Sequence, residues 1–143
     1  MNLGACYANG TGIAVDKREA VKWYKRAAEA GNTIAQYNLG ISYAFGEGVA
    51  VNKSEAVKWY KLAAEKGYAH AQLNLGACYM NGEGVDCDKQ EALKWFKLAA
   101  EQGHANSQLY IGKCYEHGHG VAVDKKEADK WYALAKKSGF VKP

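Results

Sequence analysis

TIAQYNLGISYAFGEGVAVNKSEAVKWYKLAAEKGY, residues 33–68, carries the plan of the whole chain. Between Thr33 and Phe45, the residues Ala35, Leu39, Gly40 and Tyr43 are spaced so that they share one face of a helix. Gly46 supplies the left-handed residue that ends it, and Glu47 to Val51 form a short glycine-containing loop. Asn52 with Glu55 then writes a helix start: a capping side chain followed three residues later by glutamate, each expected to satisfy a backbone donor left free there. In the second helix Ala56, Trp59, Tyr60 and Ala63 make the buried stripe, Lys58, Lys61 and Glu65 face water, and Gly67 closes the segment. The small Gly40, Ala56 and Ala63 suit close helix contact, and the large Tyr43 and Trp59 fill the remaining volume.

Outward from this stretch the same unit recurs. Trp23, Trp59, Trp95 and Trp131 stand 36 residues apart, as do Gly4, Gly40, Gly76 and Gly112, and Tyr7, Tyr43, Tyr79 and Tyr115. The pairs Gly10/Gly12, Gly46/Gly48, Gly82/Gly84 and Gly118/Gly120 keep that step. So do the caps Asp16/Glu19, Asn52/Glu55, Asp88/Glu91 and Asp124/Glu127. Four copies therefore fill the 143 residues without a linker: 1–32 (partial), 33–68, 69–104 and 105–140, with 141–143 as a tail, in one domain. A helix pair of this size cannot bury its apolar faces alone, so neighbours must stack. The predicted fold is all-α, an α-solenoid of stacked helix-loop-helix repeats forming a right-handed superhelix.

Composition agrees. Hydrophobic residues make up 48% and charged residues 24%, which excludes disordered, collagen-like and membrane classes. The net charge of +4 is mild and its two signs are interspersed, so nucleic acid and acidic membranes are not expected partners. No run approaches a membrane span, and the N-terminus lacks the order of a signal peptide.

The pattern Ala35-x-x-x-Leu39-Gly40-x-x-Tyr43, then Gly46-x-Gly48-Val49, then Ala56-x-x-Trp59-Tyr60-x-x-Ala63-Ala64-x-x-Gly67 resembles the Sel-one-like repeat, a branch of the tetratricopeptide-like superfamily. The Gly-x-Gly-Val loop separates it from the shorter tetratricopeptide unit. The resemblance covers nearly the whole chain. It implies an adaptor or scaffold that binds a protein or peptide, with the first helix of each unit lining a concave groove. Family members with stapling disulfides place paired cysteines across the two helices, a pairing absent here.

The chain ends read differently from its middle. Val21/Ala28, Val57/Ala64 and Leu93/Ala100 form an apolar flank that becomes Asp129 and Lys136 in the last unit, the polar edge of a C-terminal cap. At the other end Met1 aligns with Tyr37, so the first helix lacks its opening turn, and self-association through that edge is expected. Arg26, standing where Leu62, Leu98 and Leu134 recur, suggests a polar first unit.

Candidate chemistry is sparse. Cys6, Cys78 and Cys114 share one register and read as small buried thiols, too far apart in stacked helices for a disulfide, while Cys87 replaces Val15, Val51 and Val123 as an apolar loop filler. A reducing compartment suits such thiols. Cys114, His117 and His119 are the sole metal-like cluster but lack a fourth ligand, so they read as loop and surface residues. Gly46-Glu47-Gly48 follows a helix and lacks the third glycine of a dinucleotide site, so it is a turn. Asn9 and Asn52 begin short glycosylation-like triplets, and Asn52 is already committed as a cap. No cofactor, metal or catalytic set is predicted, and isolated Glu47 and Glu116 argue against a carbohydrate-handling enzyme.

The side of the first helix opposite Leu39 and Tyr43 is where the copies diverge. The second unit places Ile34, Tyr37, Ile41 and Phe45 there, an apolar set. The third places His70, Leu73, Ala77 and Asn81, and the fourth Asn106, Leu109, Lys113 and His117, with Glu116 beside them. These are the candidate peptide- or protein-binding residues, with an apolar part of the ligand expected against the first two units. The alternative is a purely structural or designed array whose inner positions tolerate change. Lys22, Lys58, Lys94 and Lys130 recur on the outer face one turn after Glu19, Glu55, Glu91 and Glu127, which reads as helix-stabilising pairs rather than a phosphate-binding stripe.

Overall fold

The computed structural model describes residues 16–139. Expectations resting on Met1, Gly4, Cys6, Tyr7, Asn9, Gly10, Gly12 and Val15, and on the tail 141–143, lie outside the described residues. Among the described residues seven α-helices follow one another: α1 (Lys17–Glu29), α2 (Thr33–Phe45), α3 (Lys53–Glu65), α4 (Ala69–Asn81), α5 (Lys89–Glu101), α6 (Ala105–His117) and α7 (Lys125–Lys137). No strand occurs among the described residues. They fall into two compact units divided after Lys66. In the first, α2 packs on both α1 and α3; in the second, α5 packs on α4 and α6, and α6 on α7.

The helix starts form half of the expected capping arrangement. The side chains of Asp16, Asn52, Asp88 and Asp124 accept from the N–H groups of Glu19, Glu55, Glu91 and Glu127 at 3.0–3.1 Å. The reciprocal half differs from the sequence expectation. The backbone N–H groups of Asn52, Asp88 and Asp124 donate to the carbonyls of Tyr43, Tyr79 and Tyr115, each at 2.9 Å. The preceding helix thus takes the donor that the glutamate was expected to take. Glu19, Glu55 and Glu127 instead pair with Lys22, Lys58 and Lys130 at 3.6, 3.9 and 3.8 Å.

Two glycine positions set the geometry of each helix pair. Gly46 ends α2 at φ 70°, and a Cβ on Gly48 would lie 2.1 Å from the Lys17 carbonyl oxygen, so the Gly-x-Gly loop presses directly on the start of α1. Within the pairs, a Cβ on Gly40 would lie 2.7 Å from the Tyr60 ring, on Gly76 2.6 Å from Phe96, and on Gly112 2.6 Å from Tyr132. The ring of the second helix lies flush on the backbone of the first.

The core of the first unit gathers Ala20, Val21, Tyr24, Ala28, Leu39 and Trp59; that of the second gathers Ala92, Leu93, Phe96, Ala100 and Ile111 with Cys114. The stripe of Ala56, Trp59, Tyr60 and Ala63 is buried, and Lys58, Lys61 and Glu65 are exposed. Asp129 and Lys136 are exposed where Val57, Ala64, Leu93 and Ala100 are buried. A tie that the apolar pattern did not announce comes from buried glutamines. The amide of Gln36 donates to the Ala28 carbonyl and that of Gln108 to the Ala100 carbonyl, both at 3.1 Å, adding a side-chain donor to last-turn carbonyls that also accept from the Gly31 and Gly103 N–H groups at 3.0 and 2.9 Å.

Three local expectations are corrected. Cys87 is exposed rather than a filler, because its register lies on the outside of the loop, where Val51 and Val123 are each 57% exposed. Its Sγ donates to the Met80 carbonyl at 3.4 Å. Cys78 is half-buried, and only Cys114 of the described helix-one cysteines is fully buried. Arg26 is not the mark of a polar unit, since Leu62, Leu98 and Leu134 in its register are also exposed; its guanidinium lies 5.6 Å from the Trp23 ring centre.

Candidate functional site

In the first unit the candidate residues separate. Ile34 and Phe45 are exposed at the two ends of α2, 53% and 70%. Tyr37 is half-buried with its ring 6.0 Å from that of Tyr60. Ile41 lines a cavity of about 280 Å³ with Asn38 and Ser42 from α2, Ala20 and Tyr24 from α1, and the ion pair of Lys17 with Glu47 at 3.7 Å. Burial, and then the Glu47 charge, raise the Tyr24 hydroxyl pKa, so the phenol stays neutral.

In the second unit four of the candidates converge. Ala77 and Asn81 of α4 and Lys113 and His117 of α6 surround a cavity of about 250 Å³. Sequence reading had not assigned the rest of its lining, which comes from Met80, Phe96, Tyr110, Cys114 and His119. Phe96 forms the floor, 2% exposed, and stacks on Tyr110 with ring centres 5.6 Å apart and planes 15° from parallel. The Lys113 ammonium lies 5.4 Å from the Tyr110 ring centre, a cation over an aromatic face. Burial pushes the Cys114 thiol up to about 11 against the opposing pull of Lys89, so it meets the cavity as a neutral, unreactive sulfur. The rings of His117 and His119 are 5.9 Å apart. Among the described residues no group of three or more His, Cys, Asp or Glu is arranged to hold a metal ion.

The other candidates of this unit take other roles. Leu73 is half-buried against the core around Phe96, Leu109 is half-buried, and Asn106 is exposed in the first turn of α6. His70 joins a histidine pair: His104 Nε2 lies 3.1 Å from His70 Nδ1, with the rings edge to face. His104 is also the cap of α6, its Nδ1 accepting from the Ser107 N–H at 3.3 Å and lying 2.8 Å from Ser107 Oγ. Capping requires a free lone pair on Nδ1, so the Nε2 proton points to His70. Burial, and secondarily His70, lower the His104 pKa from its ordinary 6.5. Glu116 likewise turns from the expected polar patch to the second helix, accepting from the Tyr132 hydroxyl at 2.6 Å. Burial and then this hydrogen bond raise the Tyr132 pKa.

A signal for the missed residues was present in the repeat registers. Tyr110 stands where Asn38 and Asn74 occur, and Met80 where Ala44 and Glu116 occur, so both diverge as the chosen positions do. They were missed because each cavity is completed across helices, whereas helical periodicity orders residues within one helix only.

These stacked helix pairs, cut to one repeat length with a glycine-pressed loop, define an all-α repeat protein of the solenoid class. The Sel1 repeat model matches residues 1–32, 33–68, 69–104 and 105–140, and the chain belongs to that family. Among solved structures it is similar to c5321, a protective antigen of uropathogenic Escherichia coli displaying an SLR fold, at 46% identity and TM-score 0.93, covering 97% of this chain and 30% of that one. A Sel1 repeat protein from Oxalobacter formigenes is 38% identical with TM-score 0.93, over 97% of this chain and 57% of its own. Helicobacter pylori cysteine rich protein B shares the fold at 23% identity and TM-score 0.68, covering 87% of this chain and 90% of that one. The chain therefore spans well under two thirds of the first two relatives' lengths. Comparison with curated proteins returns no match. Sel1 repeat proteins generally act as scaffolds for protein interaction. Among the described residues no helix is long and apolar enough to cross a membrane.

Proposed function

We propose that this chain is a non-catalytic scaffold that holds a peptide or partner segment on the inner face of its first helices, with the cavity among α4, α5 and α6 as the principal seat. One observation carries the reading. Residues shared by all copies, such as Gly40, Gly76 and Gly112, are spent on packing, whereas residues that differ between copies, Ala77, Asn81, Lys113 and His117 among them, meet around a cavity. A cavity with an aromatic floor and a few polar groups at its mouth is the ordinary form of a recognition site. The family's general scaffold role supports the same conclusion.

Photocrosslinking tests it. Peptides selected from a random library displayed on phage should crosslink to a benzoylphenylalanine placed at Tyr110, and not to one placed at Lys58 on the outer face of α3. Selected peptides that crosslink only at Lys58, or a library that yields no binder, would overturn the proposal.

A further inference from the structure

We infer that the cavity of the second unit takes an acidic peptide segment, an apolar side chain seated between Met80 and the Tyr110 ring above the Phe96 floor, and a neighbouring carboxylate held at the mouth by Lys113. The inference rests on the scaffold reading above and names the chemistry of its ligand. The floor and walls from Ala77, Met80, Phe96 and the Tyr110 face are apolar or aromatic, suited to one aliphatic or aromatic side chain. The mouth carries groups that donate: the Lys113 ammonium, the Asn81 amide and the imidazoles of His117 and His119. No acidic side chain lines the cavity. The nearest in sequence, Glu116, already accepts the Tyr132 hydroxyl and lies 3.4 Å from His117 Nε2. Lys113 rests over the Tyr110 ring and pairs with no carboxylate among the described residues, so a charge-assisted hydrogen bond remains for a ligand to make.

The register-equivalent cavity of the first unit gives the contrast. There Ile41 stands in place of Lys113 and Glu47 in place of His119, and the Lys17 charge is already answered by Glu47 at 3.7 Å. The basic mouth is therefore a property of particular residues in the second unit and not of the repeat. Charge complementarity selects an acidic partner there.

Fluorescence anisotropy on the full chain tests the assignment with labelled peptides bearing a central Phe flanked by Asp and Glu. Control peptides replace the acids by Asn and Gln, or by Lys, or replace Phe by Ser. The acidic Phe peptide should bind about tenfold more tightly than any control and weaken as salt is raised. Lys113→Glu should cost about tenfold, with an unchanged far-ultraviolet circular dichroism spectrum because Lys113 is exposed. Lys61→Glu, on the exposed outer side of α3, should leave binding of that peptide unchanged. If neutral or basic peptides bind as well and crosslink at Tyr110, this inference fails while the scaffold reading stands. If no peptide reaches Tyr110, both fail. Equal displacement of the peptide by a single-stranded DNA oligonucleotide would overturn the peptide assignment.

Discussion

The cavity beside Tyr24 and the cavity beside Phe96 occupy the same register of the repeat, yet they offer opposite chemistry. One holds a phenol, Asn38, Ile41 and a closed Lys17–Glu47 pair. The other holds a bare phenyl floor, Tyr110, an open ammonium at Lys113 and His119. Both sit on the same frame, in which a fully buried Leu39 or Ile111 fixes the first helix and a glycine receives the ring of the second. The repeat thus separates its tasks: packing positions are held constant so that neighbours lining the cavities are free to differ. A side chain facing a cavity has few partners to clash with, so exchanging Ile41 for Lys113 costs the frame little.

The largest expected effect tests the common frame. Leu39→Ala in the first unit and Ile111→Ala in the second should each destabilise by about 2–5 kcal/mol in urea denaturation, because both side chains are fully buried. A small loss in one unit alone would show that the frames are not equivalent.

Next in size is a difference at the helix starts. Asn32 caps α2 through the Ala35 N–H at 2.8 Å, whereas His104 in its register caps α6. The folded His104 pKa lies below its ordinary 6.5, so the folded state binds fewer protons than the unfolded one in that window. Its contribution is complete above 6.5 and is lost as pH falls through the lowered folded value. The cap it then loses is worth about 0.5–2 kcal/mol. His104→Asn, importing the cap of the first unit, should keep stability near neutrality and flatten the acid limb of a thermal-melting profile against pH. An unchanged acid limb would place the sensitivity elsewhere.

The smallest effect concerns the wall beside the cavity. Tyr132 donates to Glu116 in the fourth repeat, where the third repeat has Phe96 and Met80, so hydroxyl and carboxylate are replaced together. Tyr132→Phe should cost about 0.5–1.5 kcal/mol. Tyr132→Phe with Glu116→Met should cost less than the two single changes summed, as read by a double-mutant cycle in thermal denaturation.

Much of the fold was legible because the chain repeats its instructions. The Thr33–Phe45 helix, the left-handed Gly46 and the Asn52 cap follow from neighbours within a few residues, and each is written again at Gly82 and Asp88 and at Gly118 and Asp124. The glutamate half of the cap failed because the Tyr43 carbonyl, nine positions upstream, competes for the same donor. Gln36 and Gln108 escaped notice because a buried polar residue is explained only by the acceptor it meets. The divergence of the face opposite Leu39 is plain in the sequence, but it did not reveal that Ile41 enters a cavity, that Leu73 joins the core, or that His70 pairs with His104.

By itself the sequence determined the helices, their ends, the length of the unit and the stripe each helix buries. These depend on backbone hydrogen bonds and side chains no more than a few positions apart, and such short-range terms are visible in spacing. Only the tertiary structure decided which divergent side chains share a cavity, since Phe96, Lys113 and His119 belong to three different segments. Their meeting is set by how closely rings lie on glycines between helices, a distance that no periodicity encodes.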